Sequence, residues 1–169
     1  GPVLDVAAGG GRHAELALEH GHRVVAVDVE TTPLGPLAGR PDALVLRADL
    51  EAGGWPFREG AFAGVIVTNY LFRPRLDALV AALAPGGVLI YETFAAGNQR
   101  FGRPSSAAFL LRPGELLDLA HGRLQVVAYE HGEVAHPRAS VVQRIAAVND
   151  LSPAPDLGGL PAPYALPSP

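Results

Sequence analysis

The string VLDVAAGGGRHA, residues 3–14, constrains this chain more than any other stretch. An apolar run passes through Asp5 into Gly9, Gly10 and Gly11. A segment then begins, Arg12 to His20, that carries Leu16 and Ala17 among charged partners and stops at Gly21. Apolar strand, glycine turn, short helix and glycine C-cap is the expected order. Val24 to Val27 supplies a second apolar run, so residues 3–28 read as strand, glycine-rich turn, helix and strand. Glycines let a backbone approach a ligand closely, and the helix N-terminus that follows presents unpaired amides to it.

The same rhythm continues. Leu44 to Leu46 and Ala63 to Thr68 are further strand-like runs, Arg75 to Leu83 has the spacing of an amphipathic helix, and Val88 to Glu92 follows the turn Pro85-Gly86-Gly87. Strands alternating with helices predict an α/β fold, a Rossmann-like doubly wound and mostly parallel sheet with helices on both faces. Leu124 to Glu130 and Ser140 to Val148 are expected to close it as an antiparallel strand pair at the edge. Between them and the fifth strand lies an aperiodic stretch, Thr93 to Leu111, and a helix opened by Pro113 that runs through Leu119. Long ordered loops of this kind are often functional. With 169 residues, 49% of them hydrophobic, the chain suffices for one domain, placed at residues 1–150. Residues 151–169 are rich in proline and glycine and read as a flexible tail.

Missing residue types narrow the chemistry. Without cysteine there is no disulfide, thiolate metal site or cysteine nucleophile. All 13 basic residues are arginine, and the absence of lysine removes Schiff-base enzymes, the Walker A loop and Tyr-x-x-x-Lys dehydrogenases. A net charge of -4 with scattered arginines gives no general attraction to nucleic acid or acidic membranes, so neither is an expected partner. No apolar run approaches the roughly 20 residues of a membrane-crossing helix, and the expectation is a cytoplasmic protein. His20-x-His22 flanks a turn rather than sharing a helix face, so no metal site is expected there.

The glycines alone also satisfy the loose dinucleotide pattern, with Gly9, Gly11 and Ala14 at its small-residue positions. Asp5 tips the balance. A carboxylate inside a buried strand needs a cationic or hydrogen-bonding partner, and the ammonium of a bound methionyl group would supply one, directly or through water. The string D-x-A-x-G-x-G resembles the first motif of class I S-adenosylmethionine-dependent methyltransferases, and VVAVDVE resembles their second. That resemblance implies that Asp28 binds the ribose hydroxyls of S-adenosylmethionine and that Val29 packs on its adenine. RADLEAGGWPF resembles the third motif, which implies Asp49 near the adenine amino group and Leu50 against the ring. VTNYLFRP follows the fourth strand and would border the methionine moiety with Thr68, Asn69 and Tyr70. LAPGGVLIYETF with GNQRFGRPSSAAFLLRPGEL resembles a bacterial group related to tellurite-resistance-type small-molecule methyltransferases.

The implied reaction is in-line displacement of a methyl group onto a small-molecule acceptor, in which the protein chiefly aligns the reactants and excludes water. Tyr70 and Glu92 are the candidates for orientation or proton acceptance. Arg73 and Arg103 are candidates to bind an acidic acceptor, because guanidinium pairs with carboxylate or phosphate. Tyr91, Asn98 and Phe101 complete the expected acceptor side. His13 is read as a first-turn residue near the cofactor carboxylate. Two other readings share the glycine loop: a nicotinamide-dependent oxidoreductase, which leaves Asp5 and the Asp49 segment unexplained, and a non-catalytic protein that binds S-adenosylmethionine.

Overall fold

In a computed structural model, described here for residues 1–165, seven strands form one sheet in the order β3-β2-β1-β4-β5-β7-β6. They are β1 (Val3–Val6), β2 (Val24–Asp28), β3 (Ala43–Arg47), β4 (Phe62–Thr68), β5 (Leu83–Phe94), β6 (Gln125–Val134) and β7 (Ser140–Val148). Neighbouring strands from β3 through β5 pair in parallel, while β7 runs antiparallel to both β5 and β6. The expected mostly parallel sheet with an antiparallel closing pair is therefore present, with β7 the one strand that reverses direction.

Strand alternation divides the apolar side chains between two layers. Leu4, Val6, Val65, Val67, Leu89 and Tyr91 face the larger core, covered by helices α2 (Leu76–Ala81) and α3 (Glu115–Ala120). Val3, Val24 and Ala26 face the smaller one, covered by α1 (Arg12–Glu19) and the 3-10 turn Thr32–Leu37. That second layer stops short of β4 and β5. Ile66, Val88 and Ile90 line an open apolar groove of about 530 Å³ beside Leu16 of α1.

Two helices differ from the sequence expectation. The segment expected as a helix over 75–83 is helical only over Leu76–Ala81, because Leu83 already pairs with Phe62 as the first residue of β5. A bulge follows before Gly64 meets Val88. Gly87 is required in it, since a Cβ there would stand 2.8 Å from the Ala84 carbonyl oxygen and 2.9 Å from that of Phe62. The helix expected from Pro113 begins at Glu115, after Gly114 turns the chain through a left-handed conformation.

The described part of the tail folds back as an irregular strap. Pro153 bridges to Pro161, Gln125 Nε2 donates to the Ala162 carbonyl at 2.9 Å, and Tyr164 donates to Asp150 at 3.3 Å. Residues 166–169, the end of the expected tail, lie outside the described residues. Among the described residues no helix is long and apolar enough to cross a membrane.

Candidate active site at the carboxyl ends of the central strands

β1 pairs with β2 on one side and β4 on the other, so connections leave its carboxyl end in opposite directions. A crevice opens at such a point in a parallel sheet. Here it consists of three adjoining cavities, of about 490, 310 and 310 Å³. The first and second share Ala7, the second and third share Asn69, and the first and third share Glu51 and Tyr70. Ala7 and Asn69 are also the two non-glycine residues with positive φ, 53° and 54°, among the described residues. Each sits just past a strand end, on β1 and β4, where the chain must turn sharply; such strain concentrates at functional sites.

The glycine loop explains itself locally. Gly11, at φ 78°, caps α1, and a Cβ on it would come within 2.9 Å of Leu34 and 3.1 Å of Leu37. Gly9 and Gly10 have nothing within 4 Å of a Cβ position, so their bare backbone borders open space, and Gly10 lines the second cavity. Arg12 and His13 line that cavity too. His13 Nδ1 lies 3.3 Å from Thr68 Oγ1, and its pKa is lowered by burial and then by Arg12, so the ring is neutral at pH 7.

Asp5 faces α1 from beneath. Its Oδ2 accepts the Ala14 N–H at 3.0 Å, inside the first turn of the helix, while its Oδ1 is buried without a partner. Burial pushes its pKa up to about 6, against the pull of the Ala14 N–H and of Arg12. Asp28 closes β2 and is oriented from both sides, with Oδ2 accepting the Gly9 N–H at 2.8 Å and Oδ1 accepting the Glu30 N–H at 3.0 Å. Asp28, exposed Val29, Asp49 and buried Leu50 line the first cavity together. Asp49 Oδ1 accepts the N–H groups of Ala52 and Glu51, each at 2.9 Å, and these bonds lower its pKa. Asp49 is thus a turn-former as well as a wall of the cavity.

Tyr70 lies between the first and third cavities. Its hydroxyl is buried without a partner, and burial raises its pKa to about 12. It is therefore a proton donor at neutral pH and not the proton acceptor that the sequence allowed.

The acceptor side departs further from the sequence reading. Glu92 points to the opposite sheet face, where Arg144 binds it, and it lines the open groove instead of the third cavity. Tyr91 faces the core, fully buried, and its hydroxyl donates to the Tyr70 carbonyl at 2.9 Å, holding the turn after β4. Arg73 is engaged by this protein's own groups: Glu115 at 2.7 and 2.9 Å, and the carbonyls of Ala108 and Leu110 at 2.9 and 2.8 Å. Buried Asn98 donates to the Pro104 carbonyl and accepts the Val141 N–H, tying the long loop to β7. Phe101 is exposed under the Arg100 guanidinium, and exposed Arg103 contributes its carbonyl to Arg138; neither lines the third cavity.

Residues that the sequence reading missed complete that cavity: Glu51, Leu71, Thr93, Phe94, Pro104 and Phe109. Phe109 lies in the aperiodic stretch Thr93 to Leu111, where no spacing sets it apart. Among the described residues no group of three potential metal ligands is gathered.

No protein-family model matches the chain, and no curated protein matches it by sequence. Solved structures do. A 1,6-didemethyltoxoflavin-N1-methyltransferase from Burkholderia thailandensis, with bound 1,6-didemethyltoxoflavin and S-adenosylhomocysteine, is similar at 23% identity and a TM-score of 0.65 over 87% of this chain and 70% of that one. A structure described as a SAM-dependent methyltransferase from Methanosarcina mazei reaches 0.66 at 15% identity, over 88% and 92% of the two chains. A point mutant of a 16S rRNA (adenine(1408)-N(1))-methyltransferase from Catenulisporales acidiphilia reaches 0.61 at 22% identity, over 87% and 83%. The fold of this chain is the Rossmann-like α/β fold of class I methyltransferases.

Proposed function

We propose that this chain is an S-adenosylmethionine-dependent methyltransferase that acts on a small molecule. The observation that carries the reading is the set of three adjoining cavities at the carboxyl ends of β1, β2, β4 and β5, one lined by Asp28, one by the bare glycine loop, and one largely aromatic. The residues present fit the cofactor. Asp5 Oδ1 is a buried acceptor in need of a donor, and Gly9 and Gly10 leave open space at the head of α1.

In this reading Asp28 would hold the ribose hydroxyls, Val29 and Leu50 would pack against the adenine, and Asp49 would be near its amino group. The Gly9 to Gly11 backbone, Asn69 and Asp5 hold the methionine portion. Bound S-adenosylmethionine supplies an electrophilic methyl group on a sulfonium. The protein contributes alignment and exclusion of water. Tyr70 keeps its proton and orients, while His13 and Arg12 present a neutral ring and a cation to the carboxylate end.

The later motifs, Leu83 to Phe94 and Gly97 to Leu116, resemble the tellurite-resistance-type group and favour membership of it. We assign the activity to residues 1–150, since none of the residues lining the crevice comes from the tail. The acidic net charge and Glu51 at the third cavity favour a small molecule over a nucleic acid.

Parallel calorimetric titrations with S-adenosylhomocysteine and NAD test the reading. Binding of the former with none of the latter is expected. Binding of NAD alone would install the oxidoreductase in its place, and cofactor binding without turnover across an acceptor panel would favour a non-catalytic binder.

A further inference from the structure

The third cavity is chemically unlike the other two. It is lined by the ring residues Tyr70, Phe94, Pro104 and Phe109, by Leu71, and by the neutral polar residues Asn69 and Thr93; among the described residues Glu51 is the one charged group in the lining, and no cation is part of it. Arg73, a cation expected there from sequence, is bound to Glu115 and to two carbonyls, and Arg75, whose charge reaches Tyr70, donates to the Leu50 and Gly53 carbonyls. Arg138 lies 5.6 Å from the centroid of the Phe94 ring, yet its guanidinium donates to the Arg103 carbonyl and does not line the cavity. An anionic acceptor entering here would lose water and find no opposite charge, only the neutral donors of Asn69, Tyr70 and Thr93 beside the Glu51 carboxylate.

The supply of bases is equally short. Tyr70 holds its proton, with its pKa raised by burial, and Glu92 is on the other sheet face with Arg144. A hydroxyl or protonated amine, which must lose a proton to become nucleophilic, has exposed Glu51 as the one carboxylate in this cavity, and the His13 ring lies in the adjoining second one. A neutral ring nitrogen needs no such step.

We infer that the methyl acceptor is a planar, uncharged nitrogen heterocycle that becomes cationic on methylation. The inference rests on the methyltransferase reading above. The nitrogen lone pair forms the new N–CH3 bond as the S–CH3 bond of the sulfonium donor breaks, and the bonding pair leaves with sulfur as a neutral thioether. The positive charge thus moves from donor to acceptor. Aromatic faces and Glu51 stabilise it where it arrives, because ring quadrupoles and a carboxylate both attract a cation. A ring N–H elsewhere on the acceptor is free to release a proton to solvent afterwards.

The test uses the full chain saturated with S-adenosylhomocysteine, whose own titration is recorded first. Quinoline, N-methylquinolinium and 2-naphthoate are then titrated as planar probes of similar size and differing charge. Both quinoline compounds should bind at least about tenfold more tightly than 2-naphthoate, the scale expected for a like-charge mismatch in a desolvated site. Glu51→Gln should lower the preference for N-methylquinolinium over quinoline by at least about threefold, and Phe109→Ala should weaken both. Equal or tighter binding of 2-naphthoate, no binding of any heterocycle, or an unchanged preference in Glu51→Gln overturns the acceptor class. Failure of S-adenosylhomocysteine to bind breaks the methyltransferase reading itself, so the two failures are distinguishable.

Discussion

In the proposed reading the donor end and the acceptor end of the crevice are built in opposite ways. At the donor end the groups lie on or just past strands and on bare main chain: Asp5, Gly9 and Gly10 lie within six residues, Asp28 closes β2, and Asp49 follows β3. At the acceptor end Glu51, Asn69, Phe94 and Phe109 come from separate segments. Those segments are held together by buried polar ties: Arg73 to Glu115, Tyr91 to the Tyr70 carbonyl, and Asn98 to Pro104 and Val141. A site made of strand ends inherits its geometry from the sheet, whereas a site made of loops must be tied down. The ties take up the polar residues that would otherwise look reactive.

Cutting the strongest tie should separate the two ends most sharply. Arg73→Ala leaves Glu115, 5% exposed, with only the Arg112 N–H and the exposed Arg112 guanidinium at 3.5 Å, and should cost about 3 kcal/mol in urea unfolding, the low end for a broken buried pair because Arg73 is itself a third exposed and Arg112 remains. Burial works against the charge of Glu115, but Arg73 and the Arg112 N–H outweigh it and hold its pKa below the ordinary value. Stability from this group is present above the unfolded carboxylate pKa and is lost as pH falls through the lower folded one. The wild-type advantage over Arg73→Ala should therefore persist at pH 7 and shrink only in acid. S-adenosylhomocysteine affinity measured on the folded fraction should stay within about twofold, since no donor-end residue touches the pair. A parallel collapse of cofactor affinity would mean that the two ends are one unit.

The reciprocal cut is Gly11→Ala. It places a Cβ at φ 78° against Leu34 and Leu37, and should cost about 2 kcal/mol by thermal or chemical unfolding. Because α1 begins there, cofactor affinity should fall with stability. A variant as stable as the wild type would show that the loop is not held by the second core.

This contrast also marks what could be read from the chain. Each of the seven strands contains one of the apolar runs, and Asp5, Asp28 and Asp49 are placed by counting from them. Yet β5 starts in the expected helix and passes through the expected Pro85-Gly86-Gly87 turn, and β6 runs beyond Glu130 to Val134 because pairing with β7 carries its polar end. The helix ends were harder: the Leu83 bulge and the Gly114 turn are set by pairing and by backbone conformation, which leave the apolar periodicity intact. At the acceptor end the reading failed for a simple reason. Tyr91 and Glu92 are adjacent on a strand and necessarily face opposite layers, and neither layer there is the third cavity. Arg73 looked available because its partner Glu115 is 42 residues away, beyond any local pattern.

Asp28→Asn probes the donor end alone. It keeps the size of the side chain and one oxygen, but gives up the charge that strengthens bonds to ribose hydroxyls and to the Gly9 and Glu30 amides. We expect cofactor affinity to fall by roughly 1–2 kcal/mol and stability by about 1 kcal/mol, since the new NH2 must face the Gly9 or the Glu30 N–H, measured by calorimetry and urea titration. Unaltered affinity in the folded variant would remove Asp28 from the cofactor site.

The smallest effect belongs to Asp5, and it should run in opposite directions for folding and for binding. Its pKa is raised by burial to about 6, with Asp28 adding to the shift and the Ala14 N–H and Arg12 opposing it. A carboxyl whose folded pKa lies above its unfolded value contributes most to stability below the unfolded value, and that contribution is lost as pH rises through about 6. Between pH 7 and pH 5 the unfolded chain keeps this group ionised while the native state takes up a proton. Lowering the pH across that window should therefore stabilise the cofactor-free protein by about 1 kcal/mol relative to Asp5→Asn, in which the group no longer titrates. Binding should move the other way. An ammonium held by Asp5 Oδ1 requires the ionised form, so S-adenosylhomocysteine affinity should weaken by about tenfold across the same window in the wild type and stay flat in Asp5→Asn. If both proteins show the same pH profile, the lone oxygen of Asp5 serves only the cap of α1, and the cofactor ammonium must be held by other groups around the second cavity.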